Sequence, residues 1–125
     1  MGAARILVID DEPMTRSMLK QILERESYEV HDAANGNEAL EQCRKHSFDL
    51  VLTDILMPDK EGLETITELR RDYASIKIIA MSGGGRIGNM DLLRVAQMIG
   101  AKRTLMKPFT RQEIVTTVKE VLAGQ

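Results

Sequence analysis

Short hydrophobic runs alternate with amphipathic segments from one end of this chain to the other. Five runs rich in Ile, Val and Leu have the length and composition of β-strands. They span residues 5–9, 28–32, 50–53, 77–81 and 104–106. The third and fourth runs are apolar without alternation, which is typical of strands covered on both faces in a parallel sheet.

Each predicted strand is followed by a segment with helical periodicity. After the first strand, Pro13 suits the opening turn of a helix of about three turns. Its apolar positions are Met14, Met18, Leu19, Ile22 and Leu23. The later helical segments span 38–45, 63–70, 91–99 and 114–122. The order of elements is therefore strand then helix, five times over.

This order predicts an α/β fold with right-handed crossovers and helices on both faces of an open sheet. We expect a flavodoxin-like, doubly wound parallel sheet of five strands in the order 2-1-3-4-5, formed by a single domain over residues 1–125. Ligands of such sheets bind beyond the carboxyl ends of the strands, where the strand order reverses. Here that point lies between the first and third strands.

Composition narrows the functional classes. The chain has 125 residues, 43% hydrophobic and 29% charged, which suits one soluble domain. A net charge of −2 without a basic run argues against nucleic-acid binding. The single cysteine, Cys43, fits a reducing compartment, and neither a signal peptide nor a membrane span is evident. We therefore expect a cytoplasmic protein.

Acidic residues stand at the carboxyl ends of the two strands that flank the reversal point. Asp10 and Asp11 follow the first strand, with Glu12 next, and Asp54 ends the third. Carboxylates that converge repel one another unless a cation is present. Magnesium takes oxygen ligands, keeps several waters and commonly accepts a phosphate oxygen. The spacing therefore indicates a magnesium site for a phosphoryl group.

The next two strands supply complementary groups. Ser82 after the fourth strand offers a hydroxyl donor, and Lys107 after the fifth offers a compact positive charge. A carboxylate can itself be the phosphoryl acceptor, and Asp54 is central among these groups. Taken singly, each residue is more often structural. Four strand ends that complete one site favour the functional interpretation.

Four motifs in this arrangement resemble receiver domains of two-component response regulators. They are ILVIDDEP at the first strand, DLVLTDILMPDKEG at the third, IIAMSG at the fourth and LMKPFT at the fifth. Their order and spacing match the family over essentially the whole chain. The resemblance implies that Asp54 accepts a phosphoryl group from a histidine kinase or a histidine phosphotransfer protein, and that the only enzymatic reactions are self-phosphorylation and self-dephosphorylation.

The resemblance also implies roles for the neighbouring residues. Asp11, Asp54 and the backbone carbonyl of Leu56 would bind Mg²⁺, and Asp10 would support the ion. Ser82 and Lys107 would hold phosphoryl oxygens. The peptide bond from Lys107 to Pro108 would be cis.

In the family, partners read the surface formed by the fourth helix, fifth strand and fifth helix. Movement of Ser82 toward the phosphoryl group would reshape this surface. The usual aromatic switch residue is replaced by Thr104. The fourth helix is broadly apolar, which fits either a deeply buried helix or a docking face. The downstream protein target is not identified by the sequence.

Other interpretations fit less well. A phosphatase of the aspartyl-phosphate type would need an acid where Leu56 stands, and a flavin binder would need more aromatic rings than the 3% present. The glycine pattern at 83–88 follows the fourth strand, whereas a dinucleotide site needs it after the first. We expect a monomer or weak homodimer that acts through its own surface, since little chain follows the predicted domain. A receiver cut from a larger regulator or hybrid kinase is the alternative.

Overall fold

The computed structural model describes residues 3–55, 62–83 and 89–124, and their side chains except at 89–92. Within these ranges, five strands alternate with five helices. The strands are β1 (Arg5–Ile9), β2 (Glu29–Ala33), β3 (Leu50–Asp54), β4 (Lys77–Gly83) and β5 (Arg103–Lys107). The helices are α1 (Pro13–Glu24), α2 (Gly36–Lys45), α3 (Gly62–Asp72), α4 (Asn89–Met98) and α5 (Arg111–Leu122).

The strands form one parallel sheet in the order β2-β1-β3-β4-β5. This confirms the predicted flavodoxin-like topology. In the centre of the sheet, Ile6 of β1 lies opposite Val30 on one side and Leu50 on the other. The strand order reverses between β1 and β3, so the crevice expected to hold a ligand lies beyond Ile9 and Asp54.

The sheet separates two hydrophobic cores. Helices α2, α3 and α4 cover one face, and α1 and α5 cover the other. Fully buried side chains anchor both sides, each worth about 1.5–3 kcal/mol of transfer free energy. On the three-helix face they include Leu7, Ile66, Leu69 and Ile78. On the two-helix face they include Ile6, Leu19, Leu52 and Ile114. Packing on both faces therefore holds in place the strand ends that carry the polar residues.

Several strands are longer than the hydrophobic runs that predicted them. Ser82 and Lys107, expected to follow their strands, belong to β4 and β5 instead. Ser82 lies opposite Met106, and Gly83 lies opposite Lys107. The reason is that the ladder is made by backbone groups, which continue to pair after the side chains become polar. Strand β2 is also displaced by one residue, beginning at Glu29.

Helix α1 buries a narrower stripe than its sequence predicted. Leu19 and Leu23 are fully buried, whereas Met14 is 80% exposed and Met18 is 42% exposed. The helix begins at Pro13, and the Glu12 side chain accepts a hydrogen bond from the backbone N–H of Met14. The methionines in the first half of α1 are therefore exposed, and Leu19 and Leu23 form the buried stripe.

Helix α4 combines the two alternatives that its sequence left open. Leu93 and Ala96 are buried in the core, whereas Val95 is 40% exposed and Met98 is 84% exposed. The side chains of Met90 and Leu92, which also contributed to the apolar pattern, lie outside the described residues. One side of α4 therefore packs on the sheet, and the other presents apolar groups to solvent.

Candidate functional site

Three acidic side chains meet at the carboxyl edge of the sheet, where the parallel strands end together. Asp10 follows β1 and Asp54 ends β3, and both are buried, with Asp10 0% and Asp54 6% exposed. Asp11 is exposed. One carboxylate oxygen from each of the three residues lies within 4.8 Å of the others. The structure thus brings together the three acidic side chains that the sequence assigned to a metal site.

Asp10 is held by its backbone as well as by its carboxylate. Its N–H donates to the Ala33 carbonyl at 3.2 Å, which ties it to the end of β2. Its carbonyl accepts from Arg16 Nη1 at 2.8 Å, and its Oδ1 accepts from the Glu12 N–H at 2.9 Å. These contacts leave the second carboxylate oxygen, Oδ2, directed at Lys107.

Lys107 bridges the two buried carboxylates. Its Nζ lies 2.8 Å from Asp10 Oδ2 and 3.2 Å from Asp54 Oδ2. Burial by itself lowers the pKa of Lys107, but the hydrogen bonds and charges of Asp10 and Asp54 outweigh it, so the pKa is raised. The ammonium group is therefore charged at neutral pH. The Lys107–Pro108 peptide bond is cis.

Ser82 places a hydroxyl group at the same edge. The residue is fully buried, and within the described part of the chain its Oγ has no hydrogen-bond partner. An unsatisfied buried hydroxyl costs about 1–3 kcal/mol. Such a group in a folded protein calls for a specific explanation, such as a ligand or ion that binds there. A phosphoryl oxygen near Asp54 could accept a hydrogen bond from this hydroxyl.

The end of β3 is fixed by a close approach of α3 that the sequence interpretation did not identify. The N–H of Gly62 donates to the Ile55 carbonyl at 3.2 Å. A methyl group built on Gly62 would collide with the backbone oxygen of Asp54 and the Cα of Ile55. Only glycine allows α3 to begin this near the strand. In the sequence, Gly62 directly precedes the amphipathic segment predicted over 63–70. This position was the signal that could have indicated the close approach.

The donor set fits a hard divalent cation. Three carboxylates face a single ammonium group, so the described part of the cluster carries excess negative charge. Carboxylate oxygens are the ligands that Mg²⁺ prefers, and the ion usually retains waters and space for a phosphate oxygen. The other predicted ligand, the backbone carbonyl of Leu56, lies outside the described residues, as do 84–88 of the glycine pattern.

Thr104, predicted to replace an aromatic switch residue, is partly buried on β5. It lies opposite Ala80, two rungs before the pair formed by Ser82 and Met106. Side chains two residues apart on a strand point to the same face. Because Ala80 belongs to the core under α2, α3 and α4, Thr104 and Ser82 face the side of the sheet that α4 covers.

These features fit a site for a hard divalent cation, and sequence comparison identifies the family of the chain. Residues 6–119 match the family described as "Response regulator receiver domain". The chain therefore belongs to the receiver-domain family of two-component response regulators. Receiver domains pair with histidine kinases and are mainly signalling rather than catalytic proteins.

Named relatives support this assignment over most of the chain. The transcriptional regulatory protein SrrA of Staphylococcus aureus is 37% identical over 118 residues, which cover 94% of this chain and 47% of SrrA. The chain thus spans about half the length of this relative.

Solved structures agree with the fold. A CheY-like receiver domain protein from Methanospirillum hungatei is 32% identical, with a TM-score of 0.89 over 98% of this chain and 96% of that one. The response regulator TrrA of Thermotoga maritima, solved in complex with Mg²⁺ and BeF, is 38% identical, with a TM-score of 0.80 over 94% of this chain and 98% of that one. Among the helices described, none has the length and apolar character needed to cross a membrane.

Proposed function

We propose that Asp54 accepts a phosphoryl group from a phosphohistidine, in a site completed by Mg²⁺. The observation that carries this proposal is the trio of carboxylates within 4.8 Å of one another, two of them bridged by Lys107. The unsatisfied buried hydroxyl of Ser82 supports it, since a phosphoryl oxygen would supply the missing acceptor. The phosphodonor would be a histidine kinase or a histidine phosphotransfer protein.

In the transfer step, a carboxylate oxygen of Asp54 forms a bond to phosphorus. The bond between phosphorus and the imidazole nitrogen of the donor breaks, and its electron pair returns to that nitrogen. Asp10, Asp11 and Asp54, with the backbone carbonyl of Leu56, would hold a Mg²⁺ ion, whose charge would offset that of the phosphoryl oxygens. Lys107 would move from Asp54 to a phosphoryl oxygen and stabilise it as a charged donor.

The output would be a change of protein surface. The phosphoryl group brings charge and strong acceptors to a point near the Ser82 hydroxyl, and movement of Ser82 would alter the end of β4. Thr104 lies on the same face and would take part in this switch. The neighbouring surface of α4, β5 and α5 carries the exposed Val95 and Met98, which suit an apolar contact with a downstream protein.

Intact-mass measurement after incubation with acetyl phosphate and Mg²⁺ tests the acceptor. We expect the wild type to gain one phosphoryl group, and Asp54→Asn or chelation of the metal to abolish the gain. Asp49→Asn is the matched control, because Asp49 precedes the same strand at its opposite end and binds the Arg5 N–H. Equal phosphorylation of the wild type and Asp54→Asn would contradict the proposal.

A further inference from the structure

Arg16 and Asp32 form an ion pair next to the acidic cluster. Arg16, at the end of the first turn of α1, donates from Nη1 to the backbone carbonyl of Asp10 at 2.8 Å. Its Nε donates to Asp32 Oδ2 at 3.0 Å. Asp32 belongs to β2, one residue before the strand's carboxyl end. The guanidinium group thus joins α1, the end of β1 and the end of β2.

The carbonyl that Arg16 binds belongs to the peptide that links Asp10 to Asp11. Asp11 is exposed, and among the described residues no hydrogen bond to its carboxylate is found. Its position near the other two acids therefore depends on the backbone that carries it. The Asp10 Oδ1 holds the Glu12 N–H on the far side of Asp11. Arg16 completes this arrangement by fixing the orientation of the preceding peptide.

We propose that Arg16, together with Asp32, is a positioning residue for the metal site, acting through the Asp10–Asp11 backbone. This inference rests on the proposed function, since it assumes that the acidic cluster binds Mg²⁺. Arginine suits the role because its planar fork can donate to two acceptors in different directions. A lysine at this position would offer a compact charge without that geometry.

The charge of Arg16 and its positioning of the backbone have opposite effects on the affinity for Mg²⁺, which makes the proposal testable. As a cation beside Asp10, Arg16 opposes the binding of another cation by Coulomb repulsion. If only its charge mattered, removing it would tighten Mg²⁺ binding. If it positions the ligands, removing it would weaken binding despite the lost repulsion. Charge and position can also be separated at Asp32. An Asn there loses the negative charge but retains an oxygen acceptor for Arg16.

The experiment is a calorimetric titration of the full chain with Mg²⁺. We expect Arg16→Gln to raise the Kd about tenfold, at the low end of the range for outer-shell partners of metal ligands. Arg16→Lys should also weaken binding although it keeps the charge, and Asp32→Asn should change the Kd by less than about threefold. Arg103→Gln is the matched control, since it removes the same charge at the opposite edge of the sheet, where Arg103 pairs with Glu120.

A kinetic readout separates positioning from loss of fold. With acetyl phosphate, Arg16→Gln should need more Mg²⁺ for half-maximal phosphorylation and should reach a near wild-type rate at saturation. Affinity in Arg16→Gln or Arg16→Lys equal to or tighter than wild type would overturn the inference. Equal weakening in Arg103→Gln would overturn it as well, by indicating a general effect. If the wild type itself binds no Mg²⁺, the proposed function fails instead.

Discussion

Charged side chains are paired differently at the two edges of the sheet. At the amino edge, where the strands begin, Glu29 and Glu120 each pair with an arginine. Arg5 Nε lies 2.6 Å from Glu29, and Arg103 Nη1 lies 2.8 Å from Glu120, all with partly exposed side chains. At the carboxyl edge, two acids are almost completely buried, a third lies beside them, and Lys107 bridges the buried pair.

This difference shows which edge serves stability. Exposed ion pairs are typically worth about 0–1 kcal/mol, so the amino edge is mildly stabilising and tolerant of change. Buried charges are costly unless they are well paired, and removal of a partner exposes that cost. The carboxyl edge, with excess negative charge and an unsatisfied Ser82 hydroxyl, is therefore a poor design for stability alone. It is a reasonable design for a site that receives a cation and a phosphoryl group.

The largest expected effect comes from removal of Lys107. Lys107→Ala leaves the carboxylates of Asp10 and Asp54 buried without their shared partner, and we expect the free energy of unfolding to fall by about 3–5 kcal/mol without Mg²⁺. Mg²⁺ should restore a large part of this loss, since the ion supplies the missing positive charge. Urea denaturation with and without Mg²⁺ measures both effects.

The amino edge supplies the control for this experiment. Arg103→Ala should lower the free energy of unfolding by less than about 1 kcal/mol, because its pair with Glu120 is partly exposed. Mg²⁺ should not alter that loss. Equal destabilisation by Lys107→Ala and Arg103→Ala would remove the contrast between the two edges.

A somewhat smaller effect is expected at Gly62. Gly62→Ala places a methyl group against the backbone of Asp54 and Ile55, and such overpacking typically costs about 1–3 kcal/mol. Because Asp54 must shift, phosphorylation by acetyl phosphate should also slow. Thermal unfolding and the phosphorylation rate measure the two effects.

Gly83→Ala is the glycine control at the same edge. Among the described residues, nothing lies within 4 Å of a methyl group added there. We expect little loss of stability in this variant. A Gly83→Ala variant as unstable as Gly62→Ala would show that the close approach to Asp54 is not the cause.

The stabilising effect of Mg²⁺ on the wild type should be smaller again. An ion that binds only the folded chain, present at ten times its Kd, adds about 1.4 kcal/mol to the free energy of unfolding. Asp11→Asn removes a carboxylate from the cluster and should reduce this effect. Thermal unfolding over a range of Mg²⁺ concentrations gives the measurement, and an undiminished response in Asp11→Asn would argue against that ligand.

The smallest effect tests a cap that lies next to the site but outside its charge cluster. The Thr110 side chain accepts from the Glu113 N–H at 3.1 Å, and Glu113 Oε1 accepts from the Thr110 N–H at 2.8 Å. Thr110→Ala should cost about 1 kcal/mol of stability. The stabilisation by Mg²⁺ should be unchanged in this variant. A smaller stabilisation by Mg²⁺ would indicate that the start of α5 contributes to the metal site.

The topology and the acidic cluster were predictable from sequence for one reason. Parallel strands end at a common edge, so polar residues that follow successive hydrophobic runs must meet there. Asp10, Asp54, Ser82 and Lys107 satisfy this rule although they are far apart along the chain. Their alignment needed only the order of the elements and the ends of the runs.

Details that depend on the exact packing of helices on the sheet were not predictable. Periodicity gives the repeat of the apolar stripe in α1 but not its width, so it did not separate the buried Leu19 from the exposed Met14. The contacts of Arg16 with Asp10 and Asp32 depend on where the first turn of α1 lies. The close approach of Gly62 to β3 depends similarly on the start of α3.

Amide NMR of the wild-type chain, titrated with Mg²⁺ and then with beryllofluoride, tests the central claim most directly. The account predicts that Mg²⁺ first shifts the amide signals of Asp10, Asp11 and Asp54. Beryllofluoride, which mimics a phosphoryl group, should then shift Ser82 and Thr104, while Arg5 and Arg103 at the amino edge stay unchanged. Absence of shifts at the three acidic residues, or equal shifts at both edges, would contradict the assignment of the carboxyl edge as the metal and phosphoryl site.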